Sequence, residues 1–134
     1  SSKKSPIFVE AKLNPTNDNY YFNLYYLNYA NNDKDEALKS ISSAIQLNND
    51  QPEYYNYRAQ LYLEKEYWKE AVSDFDKFIN SDRTIPPFTY FQRGIAKIWL
   101  DDLGGCKDFE KAFQNADSEE EKKSIADWYN KYCR

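Results

Sequence analysis

Residues 33–50, DKDEALKSISSAIQLNND, and residues 67–82, YWKEAVSDFDKFINSD, superimpose at a constant offset of thirty-four. Ala37 falls on Ala71, Leu38 on Val72, Ile41 on Phe75, Ala44 on Phe78 and Ile45 on Ile79. A third copy, LGGCKDFEKAF, puts Gly105, Cys106, Phe109, Ala112 and Phe113 in the same places. The segments before these copies align as well, with Tyr21, Tyr55 and Tyr90 ahead of NLYYLNYA, YRAQLYLE and RGIAKIWL. A period of this size admits few folds. Each copy is one supersecondary unit that cannot bury its own apolar face, so the copies must stack.

Within a copy the periodicity is helical. In the second, Pro52 suits a first helical turn, and Tyr55, Ala59, Tyr62 and Leu63 fall at i, i+4, i+7 and i+8. After a break at Glu64 to Tyr67, Ala71, Phe75, Phe78 and Ile79 form a second stripe. Each unit therefore reads as a helical hairpin, with small residues at Ala59, Gly94 and Ala71 for close approach. The stretch YYFNLYYLNYANN, residues 20–32, goes against its own preference here, because Tyr and Phe favour strands and Asn disfavours helices. Only 3 Gly and 5 Pro leave little room for a turn-rich β architecture.

This pattern resembles the tetratricopeptide repeat family over residues 18 to about 116. Ala59 and Gly94 meet the family's small-residue position, Ala37 and Ala71 its later alanine, and Phe75 and Phe109 its aromatic. The resemblance implies an all-α, right-handed superhelical α–α solenoid. Repeats are expected at 18–51, 52–85 and 86–117, with a capping helix at 118–134. The third repeat is one residue short at the Asp102 to Gly104 turn, and Gly105 stands where alanine is usual. The first has bulky Tyr25 at the small position, so its two helices are expected to stand further apart. Residues 1–17 read as a half-repeat or short helix covering the first repeat, or as the remnant of a longer array.

Coupled residues support the alignment. Arg58 and Asp74 in the second copy match Arg93 and Asp108 in the third, while the first has Leu24 and Ser40, losing both charges together. An ion pair between the two helices is expected in repeats two and three, since removing one partner would strand a semi-buried charge. At the C-terminal end, Ser118 is an N-cap candidate, and Glu119 to Glu121 favour the positive end of a helix dipole. Ile125, Trp128, Tyr129 and Tyr132 then make the stripe that covers the stack. Stacking brings Cys106 and Cys133 close together: a disulfide in an oxidising compartment, or two small, partly buried thiols.

The family's concave surface is lined by the first helix of each repeat. Carried over, it is Phe22, Tyr26 and Tyr29, then Asn56, Gln60 and Leu63, then Phe91, Ile95, Ile98 and Trp99. Tyr21, Tyr55, Tyr62, Tyr90, Phe75 and Phe109 are expected to pack between helices. Rings that supply area and amides that bond to backbone suit a peptide segment. The family's carboxylate clamp needs Lys and Arg in the groove; Phe22 and Tyr26 stand at its first Lys and Asn positions and Phe88 and Gln92 at its last two cationic ones, so chaperone-tail binding of that type is disfavoured.

Composition removes other classes. Without His there is no Ser-His-Asp or Cys-His machinery and no His metal site. No catalytic, cofactor-binding or metal-ligating set emerges. A net charge of -4 and no dense Lys/Arg run beyond Lys3-Lys4 speak against nucleic acid, and no apolar run is long enough to span a bilayer. The reading that remains is a non-enzymatic module binding a protein or peptide partner. The alternative is a structural component that self-associates or belongs to a larger scaffold. The absence of Met, the Ser/Lys-rich start and the cysteine pair lean weakly towards an exported chain whose signal has been removed.

Overall fold

The computed structural model describes residues 16–134. Those residues form seven helices and no strand: α1 Asp18–Ala30, α2 Lys34–Leu47, α3 Pro52–Glu64, α4 Trp68–Ile79, α5 Pro87–Trp99, α6 Gly104–Asn115 and α7 Glu119–Tyr132. They pair as hairpins α1–α2, α3–α4 and α5–α6, each packed on the next, and α7 closes the stack against α6. The result is an α–α solenoid. The segment expected to cover the first repeat lies almost wholly outside the described residues.

Local chemistry starts these helices. Asn17 Oδ1 accepts the Asn19 N–H at the head of α1, and Asp33 Oδ1 accepts the Glu36 N–H at the head of α2. Pro52 and Pro87 occupy the first turns of α3 and α5, where a missing N–H costs nothing. Ser118 Oγ accepts the Glu121 N–H, and Glu121 Oε2 takes the Asp117 N–H, a reciprocal arrangement that fixes the start of α7.

Each intra-repeat turn uses one device. Asn32, Glu66 and Asp101 sit at φ 59°, 62° and 59°, left-handed backbone that favours glycine. The next N–H reaches back five residues in every case: Asp33 to the Asn28 carbonyl, Tyr67 to Tyr62 and Asp102 to Lys97, at 2.9, 2.8 and 2.8 Å. These are Schellman closures. The next helix then begins with Ala37 N–H on the Asp33 carbonyl and Ala71 N–H on Tyr67, four residues back. In the third repeat Gly105 N–H bonds to Asp102, only three back, so the missing residue is absorbed by a tighter first turn.

Packing inside a hairpin sets a small residue against a ring. A Cβ on Gly94 would lie 2.6 Å from Phe109 Cε1 and 2.9 Å from the Gly105 carbonyl oxygen. Ala59 and Phe75 occupy the equivalent pair, both fully buried. In the first repeat the sizes are exchanged: Tyr25 faces the role of Ala59, and Ile41 replaces the phenylalanine. The expected widening of α1 from α2 is not found, and the hairpin packs as closely as the others. Ile41 leaves room, and the Tyr25 ring lies towards α3, with its centroid 5.6 Å from that of Tyr57.

Two guanidinium groups stitch the layers. Arg58 Nε and Nη2 bind Asp74 at 2.6 and 3.0 Å, while its Nη1 reaches Ser42 of the preceding repeat at 3.3 Å. Arg93 Nε and Nη2 bind Asp108 at 2.9 and 2.8 Å, while its Nη1 reaches Asp76 at 2.8 Å. Asp76 occupies the place of Ser42 one period on. Ser40, where the first repeat has no carboxylate, donates to the Glu36 carbonyl and accepts from Asn28 Nδ2. Tyr55 and Tyr90 each carry an arginine and a lysine over the ring. Cys106 and Cys133 are joined by a disulfide between the start of α6 and the end of α7, with Cα atoms 5.8 Å apart.

Gly94→Ala is expected to lower stability by about 1–3 kcal/mol, because ring and carbonyl leave no room for a methyl. Gly104→Ala, which meets only the Asp102 side chain, is expected to melt close to wild type. Equal midpoints in a thermal melt would contradict the interlock. Glu66→Gly is expected to raise stability by up to about 1 kcal/mol, since the left-handed backbone costs L residues roughly that much more than glycine loses in chain entropy. Urea titration checks this; an unchanged midpoint would mean the turn carries no strain.

Candidate functional site

Along α1, Phe22, Tyr25, Tyr26 and Tyr29 follow at i, i+3, i+4 and i+7, so all four rings share one side of the helix. Phe22 lies 5.2 Å from Tyr26, and also 5.2 Å from both Tyr54 and Tyr57 of α3. Tyr25 stacks between Phe22 and Tyr29 at 5.9 Å from each. The six rings form one continuous cluster across the first two repeats. Tyr25 and Tyr54 are its buried base; Tyr26 and Tyr29, 52% and 40% exposed, are its open surface.

Hydroxyls tie the cluster down at its edges. Tyr54 Oη donates to Asp18 Oδ2 at 2.7 Å, and that bond holds the Asp18 carboxyl below its usual range. Tyr29 Oη donates to Glu64 Oε1 at 2.8 Å, which pushes the Tyr29 phenol up. Tyr25, Tyr54 and Tyr57 are all raised chiefly by burial, Tyr57 further by its hydrogen bond with Tyr26 and by the charge of Glu53. Tyr57 and Tyr54 were not expected in the site. Their equivalents in the other repeats are Asn23 and Gln92, then Tyr20 and Thr89, so the period itself gives no hint of a ring cluster there.

The middle of the expected groove is polar. Asn56 and Gln60 are half-buried on α3, and Leu63 packs partly buried against the core formed by Ala59, Ala71, Phe75 and Ala96. Glu53, one turn before Asn56, receives the Arg83 Nε at 2.8 Å through Oε2. Its Oε1 and the Asn56 Oδ1 are buried without a hydrogen-bond partner.

The α5 end departs from expectation. Phe91, expected to line the groove, is 6% exposed: its ring packs on Phe109 at 5.6 Å and Trp128 at 6.2 Å, beneath the capping helix. Ile95 and Ile98 pack against the same core, partly buried. Phe88, one turn earlier, is 49% exposed instead, beside a cleft of about 490 Å³ between the first turns of α5 and α7. Trp99 is 50% exposed and stacks on Trp68 at 5.8 Å, with Tyr132 at 6.2 Å on its other side. Of the rings expected to pack between helices, Phe75 and Phe109 are fully buried, while Tyr21, Tyr55, Tyr62 and Tyr90 are partly so.

Three solved structures share this arrangement of stacked hairpins. YrrB, described as a TPR protein with an unusual peptide-binding site, superimposes with a TM-score of 0.72 at 18% identity. The fold is that of the tetratricopeptide-repeat proteins. MamA superimposes with a TM-score of 0.70 at 22% identity, and the N-terminal domain of stress-induced protein-1 from C. elegans with 0.64 at 18%. The overlaps cover 84%, 81% and 92% of this chain, but 58%, 60% and 98% of the three structures. This chain therefore spans less than two thirds of the length of YrrB and of MamA. The sequence matches no family model and no curated protein. No described helix is long and apolar enough to cross a membrane.

The buried phenols make a pH dependence of stability. Their folded pKa values are raised, so the fold favours the protonated form. The contribution is fully present below about pH 10, the ordinary phenol value, and is lost as pH rises through the folded pKa values. Alkaline unfolding is expected above pH 10, with phenolate absorbance appearing cooperatively with loss of helical ellipticity. Smooth titration of every tyrosine without loss of helix would refute the buried cluster.

Proposed function

We propose that this protein is a non-enzymatic interaction module that takes a segment of a partner protein across the aromatic surface of α1 and α3 and along the first helices of the repeats. One observation carries the reading: Tyr26 and Tyr29 are held half-open to solvent on a base of rings already packed in place. Such rings offer apolar area at little further cost in side-chain freedom, and that is what a binding surface needs. The half-buried Asn56 and Gln60 supply amides to bond the backbone of an extended segment. YrrB shares the fold and is described by its peptide-binding site, which supports the same use of the tetratricopeptide scaffold here.

The test removes the open rings and leaves the base. Tyr26→Ala with Tyr29→Ala is expected to fold with native ellipticity and to weaken capture of partner segments by about tenfold or more, the loss typical of aromatic anchors. Phe113→Ala, an exposed ring on α6 remote from this surface, serves as the control and is expected to bind as wild type. A peptide display selected on the wild-type protein supplies the segments. If those segments bind the double variant and the control with equal affinity, the surface is not the site.

A further inference from the structure

Resting on that reading of the surface, charge indicates which kind of segment it takes. None of the groove positions in α1, α3 and α5 carries Lys or Arg, and carboxylates stand at both ends. At one end Glu64 accepts the Tyr29 hydroxyl through Oε1 and, among the described residues, has no cationic partner. The neighbouring Lys65 is engaged by Asp35. At the other end the cleft between α5 and α7 has an apolar floor of Phe88 and Phe91, and a rim of Asp117, Glu120 and Glu121. No Lys or Arg lines it. Glu121 is occupied with the Asp117 N–H, while neither Glu120 nor the Asp117 side chain makes an ion pair among the described residues.

Several other carboxylates are already engaged by cations. Asp74 and Asp108 each take an arginine and a lysine; Glu53, Asp76, Asp35 and Glu36 each have a cation within ion-pair distance. The unpaired carboxylates of the groove face stand close to aromatic residues, and a ring together with a carboxylate attracts an organic cation twice.

We infer that the groove receives a basic segment of a partner protein, with one Lys or Arg side chain beside Glu64 and Tyr29 and another over Phe88 against Asp117 and Glu120. This is the reverse of a clamp for a terminal carboxylate, which this face would repel. The contact steers encounter as well as fixing register, so its strength falls with added salt.

The probes are three fluorescein-labelled peptides with one Ala/Leu/Tyr framework, carrying Lys, Gln or Glu at the same alternate positions. Anisotropy at low and high salt measures their binding to the intact chain and to Glu64→Gln, Glu120→Gln and Glu110→Gln. The last makes the same charge change on exposed α6, outside the groove. The expected order is Lys, then Gln, then Glu. Each groove variant should weaken the Lys peptide about three- to tenfold and leave the Gln peptide unchanged, with Glu110→Gln matching wild type. Equal loss in all three variants would reduce the effect to net charge and overturn the inference, as would no binding of the Lys peptide or a Glu peptide bound as tightly. Binding of the Lys peptide that Tyr26→Ala abolishes but Glu64→Gln and Glu120→Gln do not affect would leave the groove reading standing while sinking this one.

Discussion

How near two helices of a repeat come to one another governs everything further out. Gly94 and Gly105 bring α5 and α6 close enough for the Phe109 ring to close over the Gly94 backbone, and Ala59 does the same beneath Phe75. That approach puts Arg93 within a bidentate reach of Asp108, and Arg58 of Asp74. A wider hairpin would leave each carboxylate buried and uncompensated, a loss of several kcal/mol by the usual behaviour of such pairs. Spare donors on the same guanidinium groups then reach into the preceding repeat, so intra-repeat spacing and inter-repeat stacking are fixed by the same atoms.

The aromatic cluster is a consequence of the one repeat that does not follow this recipe. With Leu24 and Ser40 in place of the charged pair, and a large residue exchanged for a small one, α1 carries a ring, Tyr25, where the other repeats carry alanine or glycine. The Asn- and Tyr-rich segment holds its helix because three of its rings find partners on α3, and burial outweighs the intrinsic preference for strand. Stability and surface come from the same residues: the base of the cluster is core, its upper rings are open.

Much of this was legible from residue spacing. The thirty-four-residue period located the hairpins, and the joint loss of Arg and Asp from the first copy identified which polar groups face each other. What spacing could not show was how one repeat modifies its neighbour. Phe91 occupies a groove position by register, but Trp128 of the capping helix covers it, and only the docking of α7 decides that. Tyr57 lies at a position that is polar in both other repeats, so averaging over copies hides it. Tyr25 at a small-residue position suggested separation, because the compensating Ile41 matters only once the two residues are placed in one cluster.

The cystine has a bearing on how such an array comes apart. Solenoids open by losing end units, each helix released exposing the next. Here the last helix is covalently tied to the head of α6 across 27 residues, so α7 cannot peel away without carrying the third hairpin with it. Release of α7 and opening of the third hairpin thereby become one step. Under oxidising conditions α6 and α7 therefore open as a unit, a coupling that an untied stack of near-identical hairpins would lack.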